Sequence, residues 1–99
     1  MQQLLAMLER EPNDPFLLYG IALEHKKSGD VKAAIEHLDR VIAIDPNYFY
    51  AYYQRGLAFE AAGDLDAAKR SYREGISAAR KGGDEHAAGE IEAALAMIE

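Results

Sequence analysis

Residues 15–46, PFLLYGIALEHKKSGDVKAAIEHLDRVIAIDP, return 34 positions later as FYAYYQRGLAFEAAGDLDAAKRSYREGISAAR, residues 49–80. Under that shift Gly29-Asp30 falls on Gly63-Asp64, Ala33-Ala34 on Ala67-Ala68, and Leu23 on Leu57. Ala22 falls on Gly56, Leu38 on Tyr72, Ile42 on Ile76, and in the other direction Pro12-Asn13 matches Pro46-Asn47 and Leu8 matches Ile42. A fixed period of this length constrains the fold more than any single residue. Each unit is a supersecondary element that cannot bury its apolar face alone, so neighbours must stack.

Each repeat reads as two helices. In the first, Asp14 suits the N-cap, and Pro15 suits the first helical position, where its missing N–H costs nothing. The helix runs to Ser28. Gly29 then suits the left-handed residue after a helix end, and Asp30 the N-cap of the next helix, Val31 to Ile44. Asp45-Pro46 stops it, because a residue before proline is pushed out of the α region. In the second repeat Asn47 or its neighbour caps, Gly63-Asp64 punctuates, and Gly82-Gly83-Asp84 ends the pair. Beyond it, Ala88, Ile91, Leu95 and Ile98 recur at helical spacing and predict one amphipathic helix. At the other end Leu4, Leu5, Met7 and Leu8 predict a short helix that fits the second half of a repeat. Composition agrees with an all-α chain. Alanine is abundant, while Val and Thr, which favour strands, are nearly absent.

These features resemble the tetratricopeptide repeat (TPR) family. Its signature places a large residue, then L-G, then an aromatic on the first helix, with alanine, an aromatic and a closing proline on the second. The first repeat supplies Leu18, Ile21-Ala22, His25, Ala34, Leu38 and Pro46. The second supplies Tyr52, Arg55-Gly56, Phe59, Ala68, Tyr72 and Arg80. His25, Ala22 and Arg80 depart from the pattern. The resemblance covers residues 4 to 80 well and the last helix loosely, and the chain is similar to the short stand-alone TPR proteins of bacteria. It implies an α–α superhelix of about six helices in a single domain, 1–99. A half-repeat over 1–11 and a capping helix over 84–99 flank full repeats at 15–48 and 49–82. Ala22, Gly56, Ala34 and Ala68 fall where the helices of a pair cross closely, so small residues are expected there.

Chemistry is sparse. The absence of cysteine removes disulfides, thiol catalysis and thiolate metal sites. His25, His37 and His86 have no metal-ligand spacing, the glycines punctuate helices rather than cradle phosphate, and Ser28, Ser71 and Ser77 lack a nucleophile-elbow context. Asp64 and Asp66 suit a helix start, where acidic residues favour the macrodipole. Neither an enzyme nor a cofactor is expected. The net charge of −6 offers nothing to phosphates or anionic membranes. Met1 suits a native start, the first residues lack the form of a secretory signal, and no stretch approaches the roughly 20 apolar residues of a span. A cytoplasmic location is the expectation. From Asp84 onward there are five acidic residues and no Lys or Arg, with Glu90 and Glu92 expected on the wet face of a cap. The pairs Lys26-Lys27, Lys69-Arg70 and Arg80-Lys81 are expected on solvated faces.

The resemblance also implies a groove, since the first helix of each TPR pair lines the concave face. The corresponding positions are Phe16, Tyr19, Leu23 and Lys26 in the first repeat and Tyr50, Tyr53, Leu57 and Glu60 in the second. Tyr52 is expected in the core, and Tyr48 and Phe49 at the helix start. An apolar cluster of this size seldom stays open on a monomer. Three occupancies remain: a shallow groove whose tyrosine hydroxyls reach water, a peptide or helix of another protein, or a second copy forming a homodimer. One TPR subclass clamps a chaperone's terminal carboxylate with Lys and Asn. The matching positions here, Tyr19, Leu23, Gln54 and Leu57, have the wrong chemistry for that. An apolar or amphipathic peptide fits better.

Overall fold

Three glycines turn the chain where the sequence demands it. Gly29, Gly63 and Gly83 have φ of 86, 81 and 73°, a region that side chains with a Cβ avoid. Each is followed by an aspartate whose N–H closes back on the previous helix: Asp30 on His25 O (2.8 Å), Asp64 on Phe59 O (2.9 Å) and Asp84 on Ala79 O (2.9 Å). The same aspartates start the next helix. Their Oδ1 atoms accept from Ala33 N (3.1 Å), Ala67 N (3.1 Å) and Ala87 N (2.9 Å). One Gly-Asp pair thus ends one helix and caps the next.

The computed structural model describes residues 1–99 as six helices and no strand. They are α1 (Gln2–Arg10), α2 (Pro15–Lys27), α3 (Val31–Ile44), α4 (Phe49–Ala61), α5 (Leu65–Lys81) and α6 (Glu85–Ala96). Asp14 caps α2 through Phe16 N at 2.9 Å. At the start of α4 the cap falls on the neighbour of Asn47. Tyr48 holds the cap position without a side-chain bond, and Asp45 Oδ1 instead accepts from Asn47 N at 3.1 Å. Asp84 caps α6 where the 34-residue register would put Gly82 under Tyr48. The cause is α5, which runs 17 residues against 14 for α3, so α6 follows the repeat with a slip of two residues.

The helices stack in sequence order. α2 packs on α3 and α4 on α5, α3 joins the two pairs through α4, and α6 lies on α5. The slab measures 39 × 30 × 18 Å. Its core has two centres. Leu18, Ala22, Leu38, Val41 and Ala51 form the first. Ala68, Tyr72, Ile76, Ala79, Ala87, Ala88, Ile91 and Leu95 form the second. Tyr52 is buried, its hydroxyl donating to Pro46 O at 2.8 Å, and Phe59 packs on the second centre. The close crossing expected at Gly56 is real. A Cβ there would stand 2.3 Å from Tyr72 Cε1.

Arg55 is the polar exception inside this frame. It sits where the first repeat has the fully buried Ile21. Its Nε donates to the buried Ser71 Oγ (3.0 Å), and its other nitrogens reach Asp39 on α3 (2.9 Å) and Glu74 on α5 (3.4 Å). The guanidinium also lies 5.5 Å from the Tyr52 ring centre. Asp39 and Glu74 are more than half exposed, so water screens their attraction. The stem and the Ser71 bond matter more. Arg55→Ala is expected to cost about 2 kcal/mol in urea unfolding, while Arg55→Met, which keeps the stem, should cost under about 1 kcal/mol.

Candidate functional site

The residues assigned to the groove divide into two halves with different states. In the half between α2 and α4, the chain fills its own surface. Tyr19 is half-buried against the first core centre, and its ring lies 5.1 Å from that of Tyr48. Burial, reinforced by the nearby Tyr48 phenol, raises the Tyr19 pKa. Lys26 Nζ donates to Gln54 Oε1 across the two helices at 2.8 Å, and burial lowers the Lys26 pKa. Lys26 is therefore tied to α4 rather than solvated. Leu23 is half-buried, while Phe16 stands 70% exposed near the start of α2.

The half between α4 and α6 is open. A cavity of about 480 Å³ lies there, lined by Tyr53, Leu57 and Glu60 from α4 and by Glu90, Ala93, Ala94, Met97 and Ile98 from α6 and its end. Tyr53 and Leu57 turn part of their surface to the second core centre and part to the cavity. The Tyr53 and Tyr72 ring centres are 6.1 Å apart. Tyr50 is exposed at the rim, and its hydroxyl donates to Glu90 Oε1 at 3.0 Å. That bond is the first cause of its raised pKa, ahead of burial. Phe49 packs against Tyr50 in a tilted pair with centroids 4.7 Å apart. Glu60, on the opposite wall from Glu90, accepts from the Tyr72 hydroxyl through Oε2. Burial first, and then the Glu60 bond, raises the Tyr72 pKa.

Three of the eight assigned groove residues thus line one cavity, a fourth marks its rim, and the first-repeat residues do not join it. The second wall comes from α6, which its acid-rich sequence suggested was only a wet cap. Two signals in the sequence point to this wall. Ala93-Ala94 keeps the helix surface low, and Met97-Ile98 places large apolar residues just past it in an otherwise acidic segment; in the structure Met97 is 87% exposed. Glu92 lies on a wet face, as expected, and pairs there with Arg80, whose Nη2 stands 2.7 Å from its Oε1 and links α6 to the end of α5; both side chains remain about half exposed. A second cavity of about 250 Å³ lies against Pro46, Tyr52 and Lys81 between the start of α4 and α5. Only two of its seven lining residues are apolar. His25 and His37, distant in sequence, form a tilted pair with ring centres 5.0 Å apart, and His37 Nδ1 sits 2.9 Å from Ala33 O. No group of three or more His, Cys, Asp or Glu side chains is placed to hold a metal ion. No helix is long and apolar enough to cross a membrane.

Comparison with known proteins gives a consistent set of relatives. A TPR repeat profile matches residues 22–63, and a tetratricopeptide repeat profile matches residues 49–81. A TPR repeat-containing protein of Pseudomonas aeruginosa is 31% identical over 93 residues, covering 94% of this chain and 89% of the relative. The solution structure of a tetratricopeptide repeat domain protein of Salinibacter ruber superposes with a TM-score of 0.84 at 32% identity, over 89% of each chain. A solution structure from Bordetella parapertussis gives 0.85 at 25% identity, over 98% of this chain and 84% of the other.

Proposed function

Because the chain belongs to the tetratricopeptide repeat family, we propose that it is a non-catalytic protein-interaction module. Repeats of this family generally act as protein–protein interaction modules, and the fold here offers a groove of the corresponding kind. The ligand in this reading is an apolar or amphipathic peptide or helix of another protein, held on the concave face. One observation carries the reading: the open cavity between α4 and α6, six of whose eight lining residues are apolar. Leaving such a surface to water forgoes roughly 25 cal/mol for each Å² that a partner would cover. A helix laid along α4 and α6 would contact Tyr53 and Leu57 on one side and Ala93, Met97 and Ile98 on the other.

The test is a variant that fills the groove and leaves the fold alone. Ala93 is exposed, so Ala93→Gln adds volume and polarity to the cavity without touching the core. Proteins captured from a lysate of the source organism should be lost with Ala93→Gln at an unchanged helical circular dichroism signal. A capture pattern indifferent to Ala93→Gln rejects the groove. Replacing Tyr19, Tyr50 and Tyr53 together is a poorer test, because Tyr19 and Tyr53 also pack on the two core centres. A second reading, in which another copy fills the groove, draws on the exposed Leu5 and Met7 of α1. Light scattering across a concentration series distinguishes it.

A further inference from the structure

We propose that the α4–α6 groove selects a basic amphipathic helix of another protein, one whose apolar face carries a flanking lysine or arginine. The inference rests on the groove reading above and adds the charge of the ligand. The charged side chains on the cavity wall are both acidic: Glu60 stands on α4 and Glu90 on α6, with no Lys, Arg or His among the lining residues. Each carboxylate is half engaged. Tyr72 holds Oε2 of Glu60 and leaves Oε1, and Tyr50 holds Oε1 of Glu90 and leaves Oε2. His86 Nε2 is 3.7 Å from that same engaged Oε1. The two tyrosines therefore fix the acids in place while leaving an acceptor on each for a cation, the arrangement a charge-assisted hydrogen bond needs.

The other half of the concave face points the ligand to this one. There Lys26 is already bonded to Gln54, and Tyr19 and Tyr48 cover each other. A second copy is a poor electrostatic match. The chain carries a net charge of −6, and its most exposed apolar helix, α1, flanks Arg10 with Glu9 and Glu11. Like charge would face like charge at Glu60 and Glu90.

Two labelled synthetic peptides of about four helical turns test this, sharing one leucine face and differing only in lysine or glutamate on the other. Fluorescence anisotropy against the full chain should show the lysine peptide binding at least about tenfold tighter. The double variant Glu60→Gln/Glu90→Gln should lower that affinity about tenfold, with Glu90→Gln alone giving the same direction where Glu60→Gln loosens Tyr72. The control Glu9→Gln/Glu36→Gln removes the same two charges from exposed sites on α1 and α3 and should change affinity less than about threefold. Ala93→Gln, which adds no charge, should also abolish binding. Equal losses in the two double variants overturn the inference, because the cation then responds to net charge alone. Glutamate and lysine peptides that bind equally, both blocked by Ala93→Gln, leave the groove standing and remove its charge preference. Binding untouched by Ala93→Gln, or no binding of either peptide, overturns both. A groove found filled by a second copy, and emptied by Ala93→Gln, overturns the basic ligand as well.

Discussion

Gly56→Leu is expected to give a chain that no longer folds cooperatively, and Gly56→Ala one destabilised by about 1 to 3 kcal/mol. The sign for alanine is the informative part. In the middle of an exposed helix, glycine to alanine gains about 1 kcal/mol from helix propensity alone. Here the added methyl meets the Tyr72 ring at 2.3 to 2.7 Å, and Tyr72 is fully buried with its hydroxyl bonded to Glu60, so the ring has nowhere to go. Overpacking wins over propensity. The first repeat shows the alternative solution at the same crossing: Ala22 with Leu38, both buried in one cluster. The second repeat has exchanged a methyl on one helix for an aromatic ring on the other. It follows that Gly56→Ala/Tyr72→Leu should be more stable than Gly56→Ala alone, with a favourable coupling of about 1 kcal/mol or more in a double-mutant cycle. Urea denaturation of the four proteins measures it. Additive losses would show that the two side chains do not share that space.

Ile91→Ala should cost about 3 kcal/mol, and the loss should be local. Ile91 is fully buried and is the residue through which α6 grips α5; its Cδ1 lies 3.4 Å from where a Cβ on Gly75 would stand. α6 has no neighbour on its other side. In a stacked architecture stability is close to a sum of nearest-neighbour terms, so a cavity at this interface frees the last helix before the rest. Amide hydrogen exchange should accelerate throughout α6 while α2 and α3 keep their protection. Since α6 supplies one wall of the cavity, ligand binding should weaken in step with the opening of α6. A uniform acceleration over all six helices would contradict this.

Most of the fold could be read before the structure because its signals are local and occur twice. Asp14, Gly29-Asp30 and Gly63-Asp64 fixed the helix ends within a residue, since capping depends on neighbours in the chain. Gly56 was legible because repetition pairs it with Ala22. The site was less legible, for physical reasons. The longer α5 shifts α6 out of the 34-residue register, so no residue of α6 could be assigned to the concave face by matching. Lys26 looked solvated in sequence because its partner, Gln54, lies on another helix. The register set Arg55 on Ile21, but nothing in the sequence showed how a charge could be held at that position. Its three partners come from α3 and α5, and only tertiary structure gathers them.

Glu92 also sets a direction for growth by duplication. Once the two-residue slip is allowed for, it stands on α6 where Gly56 stands on α4, and it faces outward toward Arg80. A helix laid on α6 as α5 is laid on α4 would drive a large side chain into a charged residue where a hydrogen atom is needed. Copies of the repeat unit can therefore be inserted between α3 and α4, where small residues already accept a neighbour. Appending one after α6 first requires Glu92 to become glycine or alanine, with Arg80 released from its partner.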